Sequence, residues 1–103
     1  MNRKIEKCHA LTVGRTYKLM DIYTVKIEGR LAVVGGVVDE GSGSCTPVYV
    51  WMPTSLVRNF TEEIVRSVAK SMAGGRVARF VYKGMKPGKG GMEYYDAEWV
   101  KNA

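Results

Sequence analysis

Residues 17–28 read Y-K-L-M-D-I-Y-T-V-K-I-E, with aliphatic, β-branched and aromatic side chains in alternation. A period of two is typical of a β-strand with one buried face, and this length suits a strand that bends around a barrel. Residues 31–39 (L-A-V-V-G-G-V-V-D) and 45–52 (C-T-P-V-Y-V-W-M) have the same character. Gly35-Gly36 predicts a bulge or a sharp coil in the second strand. The three segments predict an antiparallel meander.

The period changes beyond Pro53, which ends the third strand. Thr61 suits a helix N-cap, and Glu62 and Glu63 follow in the first turn, where the helix dipole favours carboxylates. Gly74-Gly75 ends the helix. The residues that recur every four positions form an apolar stripe expected to plug the bottom of the barrel: Ile64, Val68 and Met72.

Two further strands follow the helix, at residues 76–83 and 92–101, joined by a basic glycine loop at 84–91. The predicted order is therefore β-β-β-α-β-β, an all-β fold with one helix. We expect one domain over residues 1–103, with residues 1–10 as a flexible N-terminal segment.

Composition excludes several classes of protein. The chain has 103 residues, 16 Lys+Arg against 10 Asp+Glu, and a formal net charge of +6. No apolar run approaches the roughly 20 residues of a transmembrane helix, so we expect no membrane association. The charged N-terminus leads into no apolar segment typical of a signal peptide. We therefore expect an intracellular protein, cytoplasmic or nuclear and not secreted.

The chain carries few residues suited to catalysis or metal binding. Cys8 and Cys45 are expected to be reduced thiols, and with His9 they lack the ligand number and spacing of a zinc site. The single histidine has no partners for nucleophilic catalysis, and no phosphate-binding G-x-x-x-x-G-K-[ST] loop is present. We expect no enzyme, no metal and no cofactor.

Three motifs resemble small single-domain OB-fold proteins that bind single-stranded nucleic acid in viruses and mobile elements. They are Leu11-x-Val13-Gly14-x-x-Tyr17-x-Leu19-Met20-Asp21, Val48-x-Val50-Trp51-Met52-Pro53 and Phe80-x-Tyr82-Lys83-Gly84. The resemblance extends over residues 11–101. It implies a five-stranded OB-fold barrel that binds on strands two and three, with the first and last hairpin loops alongside.

Aromatic residues in the third strand are the first candidates for a binding site. By alternation Val48, Val50 and Met52 face inward, so Tyr49 and Trp51 face outward and could stack bases. A neighbouring segment that covers them as a second core is the alternative. Phe80 and Trp99 are expected in the core, Tyr17 and Tyr23 are expected to pack, and Tyr82 and Tyr94 are left open.

Basic residues are the second group of candidates. Residues 76–91 contain no acidic side chain, and their glycine loop would let backbone amides approach a phosphate. The cations expected to contact phosphates are Lys26, Arg30, Arg79, Lys83, Lys86 and Lys89.

These features predict non-enzymatic, largely sequence-independent binding of single-stranded DNA, with DNA favoured over RNA. One alternative is an OB-fold interaction module whose aromatic face docks a partner protein. Another is a barrel that binds structured RNA. A homodimer is left open.

Overall fold

The computed structural model describes residues 4–7, 10–43 and 45–100. Within that part of the chain, five strands and two helices follow one another in the predicted order, except that a short helix, α1, precedes the predicted one. The elements are β1 (Thr16–Ile27), β2 (Arg30–Asp39), β3 (Val48–Trp51), α1 (Thr54–Val57), α2 (Glu62–Ala73), β4 (Arg79–Pro87) and β5 (Glu93–Trp99).

The strands form one antiparallel sheet in the order β3-β2-β1-β4-β5. The three-stranded meander is thus confirmed. Among the described residues β3 and β5 do not pair, so the sheet is not closed and a barrel is not confirmed. The physical reason lies in β3, which is four residues long and turns into α1 after Pro53.

Helix α1 spans the gap between the two edge strands. The Ser55 hydroxyl donates to the Ala97 carbonyl oxygen at 3.0 Å and accepts from the Ala97 amide at 2.9 Å. The Trp99 indole Nε1 donates to the Leu56 carbonyl oxygen at 3.2 Å. The two Ser55 bonds satisfy backbone groups of β5 that a neighbouring strand would otherwise satisfy, and the indole bond satisfies the Leu56 carbonyl of α1. Together they join the chain after β3 to β5.

The glycine pair in β2 does not form the predicted bulge. The register shifts instead in β1, between Leu19 and Asp21, which pair with Val37 and Gly36. Met20 is therefore the extra residue of the bulge, and its side chain is exposed. Because a bulge inserts one residue, it reverses the facing of every residue that follows it in β1.

The core lies between the inner face of the sheet and α2. Phe80 is fully buried and packs edge to face against Trp99 at 6.0 Å between ring centroids, as predicted. Tyr17 and Tyr82 are also buried. The N-cap prediction is confirmed, since the Thr61 hydroxyl accepts from the backbone amide three residues on at 3.2 Å.

The predicted helix stripe is shifted on α2. Val65 is the residue that enters the core, at 3% exposure, whereas Ile64 is 40% exposed. Val68 and Met72 are half-buried against the core. Neither helix of the described residues has the length and apolar composition of a membrane-spanning segment.

Candidate nucleic-acid interface

Three aromatic side chains lie on the outward face of β1, β2 and β3. Val34 pairs with Tyr23 on one side and Trp51 on the other, and Gly36 pairs with Tyr49. Directly paired residues of an antiparallel sheet project to the same side, and residues two apart share that side. Tyr23, Tyr49 and Trp51 therefore share one face, which we call the aromatic platform.

The platform lies on the side opposite the core. Ile22, Val33 and Val50 alternate with platform residues along their strands, and all three belong to the core cluster. The register therefore gives Tyr49 and Trp51 the outward facing that alternation predicts. Tyr23 was expected to pack, and it faces outward because the bulge at Met20 reverses the facing of the rest of β1.

The platform packs on its own small buried layer. Val34 is 0% exposed although it lies outside the core cluster, and its neighbours across the sheet on that face are Tyr23 and Trp51. The Tyr49 ring lies across Gly36, where a Cβ atom would come within 2.7 Å of the ring. Glycine at this position lets the ring lie close to the sheet.

Polar and ring contacts position Tyr49. The Tyr49 hydroxyl donates to Asp21 Oδ2 at 3.3 Å. The other carboxylate oxygen, Asp21 Oδ1, accepts from the backbone amide of Ile22 at 2.9 Å. The Tyr23 and Tyr49 ring centroids are 6.3 Å apart, within the range of aromatic pairs. All three platform rings are half-buried, so part of each ring surface is accessible.

The N-terminal segment borders the platform. The Glu6 amide donates to the Tyr49 carbonyl at 2.8 Å, and the Trp51 amide donates to the Glu6 carbonyl at 3.0 Å. This parallel bridge uses backbone groups on the outer edge of β3, which an edge strand otherwise leaves open. The predicted flexibility of residues 1–10 stays a prediction, and positions 1–3, 8 and 9 lie outside the described residues.

The candidate cations of the first hairpin lie on two different faces. Arg30 lies two residues before Ala32 and four before Val34 along β2. It therefore faces the platform side, at the hairpin end of the strand. Lys26 lies on the face of β1 opposite the platform. Its Nζ lies 3.7 Å from a carboxylate oxygen of Glu62 at the start of α2. The structure thus brings Arg30 but not Lys26 to the platform face.

Two of the candidate cations in the last hairpin are paired with carboxylates, one in the turn after β2 and one in β5. The Arg79 guanidinium is hydrogen-bonded to Glu40, and Lys83 Nζ lies 2.5 Å from Glu98 Oε2. The hydrogen bond and the charge of Glu98, with a smaller contribution from Asp96, raise the pKa of Lys83 against a small opposing effect of desolvation. Sequence reasoning missed these pairs because both carboxylates lie outside residues 76–91.

The other two candidate cations are exposed. Lys86 lies near the end of β4, and Lys89 lies in a short 3-10 turn between β4 and β5. Over residues 4–7, 10–43 and 45–100, no carboxylate oxygen lies within 4.0 Å of either amine. Their charge is therefore available to an anionic ligand.

Two neighbouring clefts lie between Trp51 and the last hairpin. One cleft of about 330 Å³ is lined by Trp51, Thr54 and Arg58, among other residues. A second cleft, of about 630 Å³, is lined by Thr54 and Arg58 again, together with Lys89 and Tyr94. The two clefts adjoin at Thr54 and Arg58, and we call the pair the Arg58 groove.

Sequence reasoning missed Arg58 and left Tyr94 open. Arg58 follows directly on α1, and a helix of four residues is too short to show a helical period in the sequence. Tyr94 pairs with Lys86 across the last hairpin, so it shares a face with that exposed cation. In the sequence, the feature that could have indicated Tyr94 as a binding residue is its place opposite a lysine in a basic hairpin.

The structure offers little that would hold a metal. No group of three or more His, Cys, Asp or Glu side chains among the described residues is arranged to bind a metal ion. Cys45 is an exposed free thiol. The other two residues considered above as zinc ligands, Cys8 and His9, lie outside the described residues.

Comparison of the chain with protein-family models, curated sequences and solved structures found no match.

Proposed function

We propose that this protein binds single-stranded nucleic acid without catalysing a reaction and largely without sequence preference. One observation carries the proposal: Trp51 of the aromatic platform lines one of two clefts that share Thr54 and Arg58, and Lys89 of the last hairpin lines the other. Binding of a single strand without sequence preference needs this combination of ring surfaces for bases and positive charge for phosphates.

The platform supplies the stacking surfaces. Each of its three rings is half-buried and held by neighbours, so little side-chain freedom is lost when a base stacks on it. Every base has a π-face, and stacking on an aromatic side chain contributes roughly 1–3 kcal/mol per base whatever its identity. A duplex keeps its bases stacked on each other, so the platform favours single strands.

The cations beside the platform and the Arg58 groove supply the electrostatic attraction. Arg30 lies at one end of the platform, Arg58 lies in the groove, and Lys86 and Lys89 lie on the last hairpin. Phosphate contacts of this kind position the strand and carry no base information.

We also propose that the sheet is an OB-type barrel left partly open. Five antiparallel strands with a helix between the third and fourth are consistent with that fold, which is commonly only partly closed. The hydrogen bonds between Ser55 of α1 and Ala97 of β5 support it, because they hold the segment that follows β3 against the edge of β5 without strand pairing. On this interpretation the platform, whose rings come from β1 and β3 on either side of β2, overlaps the face of strands two and three where OB-folds bind oligonucleotides.

The proposal is tested by fluorescence anisotropy with labelled oligonucleotides of about 16 nucleotides, the upper end of the range for one OB-fold. A mixed-sequence DNA single strand, its RNA counterpart and its duplex are titrated with the protein at low salt. We expect the DNA single strand to bind at least about tenfold more tightly than the duplex, since one stacked base accounts for that ratio.

Two variants locate the binding. Trp51→Ala should weaken single-strand binding, whereas Trp51→Phe, which keeps an aromatic ring, should retain most of it. Thermal melting of both variants checks that the fold is intact. Binding of neither single strand nor duplex would contradict the proposal and would favour docking of a partner protein on the platform. Equal binding of single strand and duplex would contradict it as well.

A further inference from the structure

Helix α2 carries an apolar groove that the proposed nucleic-acid site does not use. The groove has a volume of about 580 Å³ and runs between α2 and the chain that follows it. Its apolar lining includes Ile64, Val68, Met72 and Val77. Because Val65 on the same helix enters the core, α2 lies on the core side of the sheet, opposite the aromatic platform.

The groove is mostly apolar, and its lining includes two serines and one charge of each sign. Glu63 lies in the first turn of α2, and Arg76 lies just beyond its C-terminal end, so the two are separated by roughly 15–20 Å along the helix axis. Among the described residues no group of opposite charge lies within 4.0 Å of either side chain. By contrast, Glu62 contacts both Lys26 and Arg66.

We propose that a second copy of this chain occupies the groove, with the two α2 helices antiparallel about a two-fold axis near Val68. A two-fold contact uses the same patch on both subunits, so the patch must be complementary to itself. In the antiparallel arrangement Glu63 faces Arg76 of the partner subunit, and the same pair forms a second time by symmetry. The apolar residues between them then pack on their own copies.

Three features of the groove favour this occupant. Ile64 is 40% exposed although it belongs to the apolar side of an amphipathic helix, so its burial would come from a neighbour. Ser67 and Ser71 line the groove and are small, which lets a second helix approach closely. A nucleic acid or a strongly acidic partner would match Arg76 but would be repelled by Glu63.

The proposed contact is short, so the dimer should be weak. A helix of 12 residues and one flanking segment bury less than the roughly 1,200 Å² typical of stable complexes. We therefore expect a monomer–dimer equilibrium that depends on concentration in the micromolar range. Because the platforms lie opposite α2, they stay accessible in the dimer, which could engage two segments of one strand.

Sedimentation velocity of the full chain, without nucleic acid and from low micromolar to submillimolar concentration, tests the proposal. The sedimentation coefficient should rise from the monomer to the dimer value. Ile64→Asp should abolish the rise, and its exposure predicts that the fold survives, as a thermal melt will show. Met92→Asp, at a residue 74% exposed and outside the groove, is the matched control and should associate like the unchanged protein.

Charge reversal tests the antiparallel arrangement. Glu63→Arg and Arg76→Glu should each weaken the dimer by about tenfold or more, because each places like charges opposite one another twice. The double variant, Glu63→Arg with Arg76→Glu, restores opposite charges and should restore association. A monomer at all concentrations, a dimer unchanged by Ile64→Asp, or a double variant that stays dissociated would overturn the proposal. None of these outcomes bears on nucleic-acid binding.

Discussion

The aromatic platform and the basic last hairpin are both parts of the proposed site, but the fold assembles them in opposite ways. The platform gathers three rings from two strands that are distant in sequence, and a third strand between them supplies their support. In the hairpin the cations are close in sequence, but the fold places them in different environments. Arg79 and Lys83 are paired with carboxylates, whereas Lys86 and Lys89 are exposed.

The difference shows which sequence features carry over to the folded site. Alternation along a strand fixes the facing of each side chain, so the predicted outward facing of Tyr49 and Trp51 agrees with the register. Charge density along the chain does not fix charge density in space, because the turn after β2 brings Glu40, and β5 brings Glu98, beside these cations. The platform should therefore dominate affinity, and only part of the hairpin should contribute.

The largest effect should follow from removal of two platform rings. We expect Tyr49→Ala combined with Trp51→Ala to weaken single-strand binding by about 2–6 kcal/mol, from roughly 1–3 kcal/mol for each stacked base. Fluorescence anisotropy measures the loss. The control, Tyr49→Phe with Trp51→Phe, keeps both rings and should bind within a few-fold of the unchanged protein. A loss smaller than that caused by Lys86→Ala with Lys89→Ala would reverse the comparison.

A smaller effect should follow from displacement of one ring. Gly36→Ala puts a Cβ atom 2.7 Å from the Tyr49 ring, so the ring must rotate away from β2. We expect binding to weaken by about 1 kcal/mol, the lower end of one stacked base, with little change in melting temperature.

Gly35→Ala is the matched control for that substitution, because its Cβ atom points to the other face of the same strand. It would come within 2.4 Å of the Met52 sulfur in the core. Overpacking of this kind costs typically about 1–3 kcal/mol of stability. Binding by the folded fraction should be unchanged. If both substitutions changed binding and stability in the same way, the two faces of the sheet would not have separate roles, and the comparison would fail.

The hairpin cations should differ in their effect on salt dependence. Lys86→Ala with Lys89→Ala should make the slope of log affinity against log salt shallower by about 1.4, from about 0.7 for each phosphate contact. Arg79→Ala with Lys83→Ala removes the same charge but should change the slope by less than half as much, because both side chains are paired. Equal changes would show that net charge alone governs binding.

The smallest effect concerns the partner of Lys83. Glu98 raises the pKa of this lysine above its ordinary 10.5, so Glu98→Gln should lower that pKa, as an NMR titration of the amine will measure. A raised lysine pKa stabilises the fold below pH 10.5, and this contribution disappears as the pH rises through the folded value. The difference in melting temperature between the two proteins should therefore be small and constant near neutral pH, and should vanish in strong alkali.

The sequence predicts the local features of this fold well. The meander, the helix after residue 61 and its Thr61 cap follow from periodicity and capping, which depend on neighbouring residues. The open edge does not follow, since it depends on how Ser55 reaches a strand far along the chain. The outward facing of Tyr23 does not follow either, because no residue type marks Met20 as a bulge, and that bulge reverses the facing of the rest of β1.

In the candidate site, as in the fold, the sequence predicts the features that depend on neighbouring residues and not those that depend on distant segments. Its rings on β3 follow from alternation, whereas the Arg58 groove depends on a four-residue helix and on a hairpin that approaches it from the other end of the sheet. Contacts between segments distant in sequence decide which cations are paired. A single sequence contains no local signal for them.

The central claim is that a single strand lies on the aromatic platform, and the two indole N–H resonances test it most directly. The protein has two tryptophans, so a ¹⁵N-labelled sample gives two such signals. Trp51 belongs to the platform, whereas the Trp99 indole is bonded to the Leu56 carbonyl at 3.2 Å on the core side. On titration with a DNA single strand we expect the Trp51 signal to shift and the Trp99 signal to stay nearly unchanged. A Trp51 signal that does not move at saturation would contradict the account.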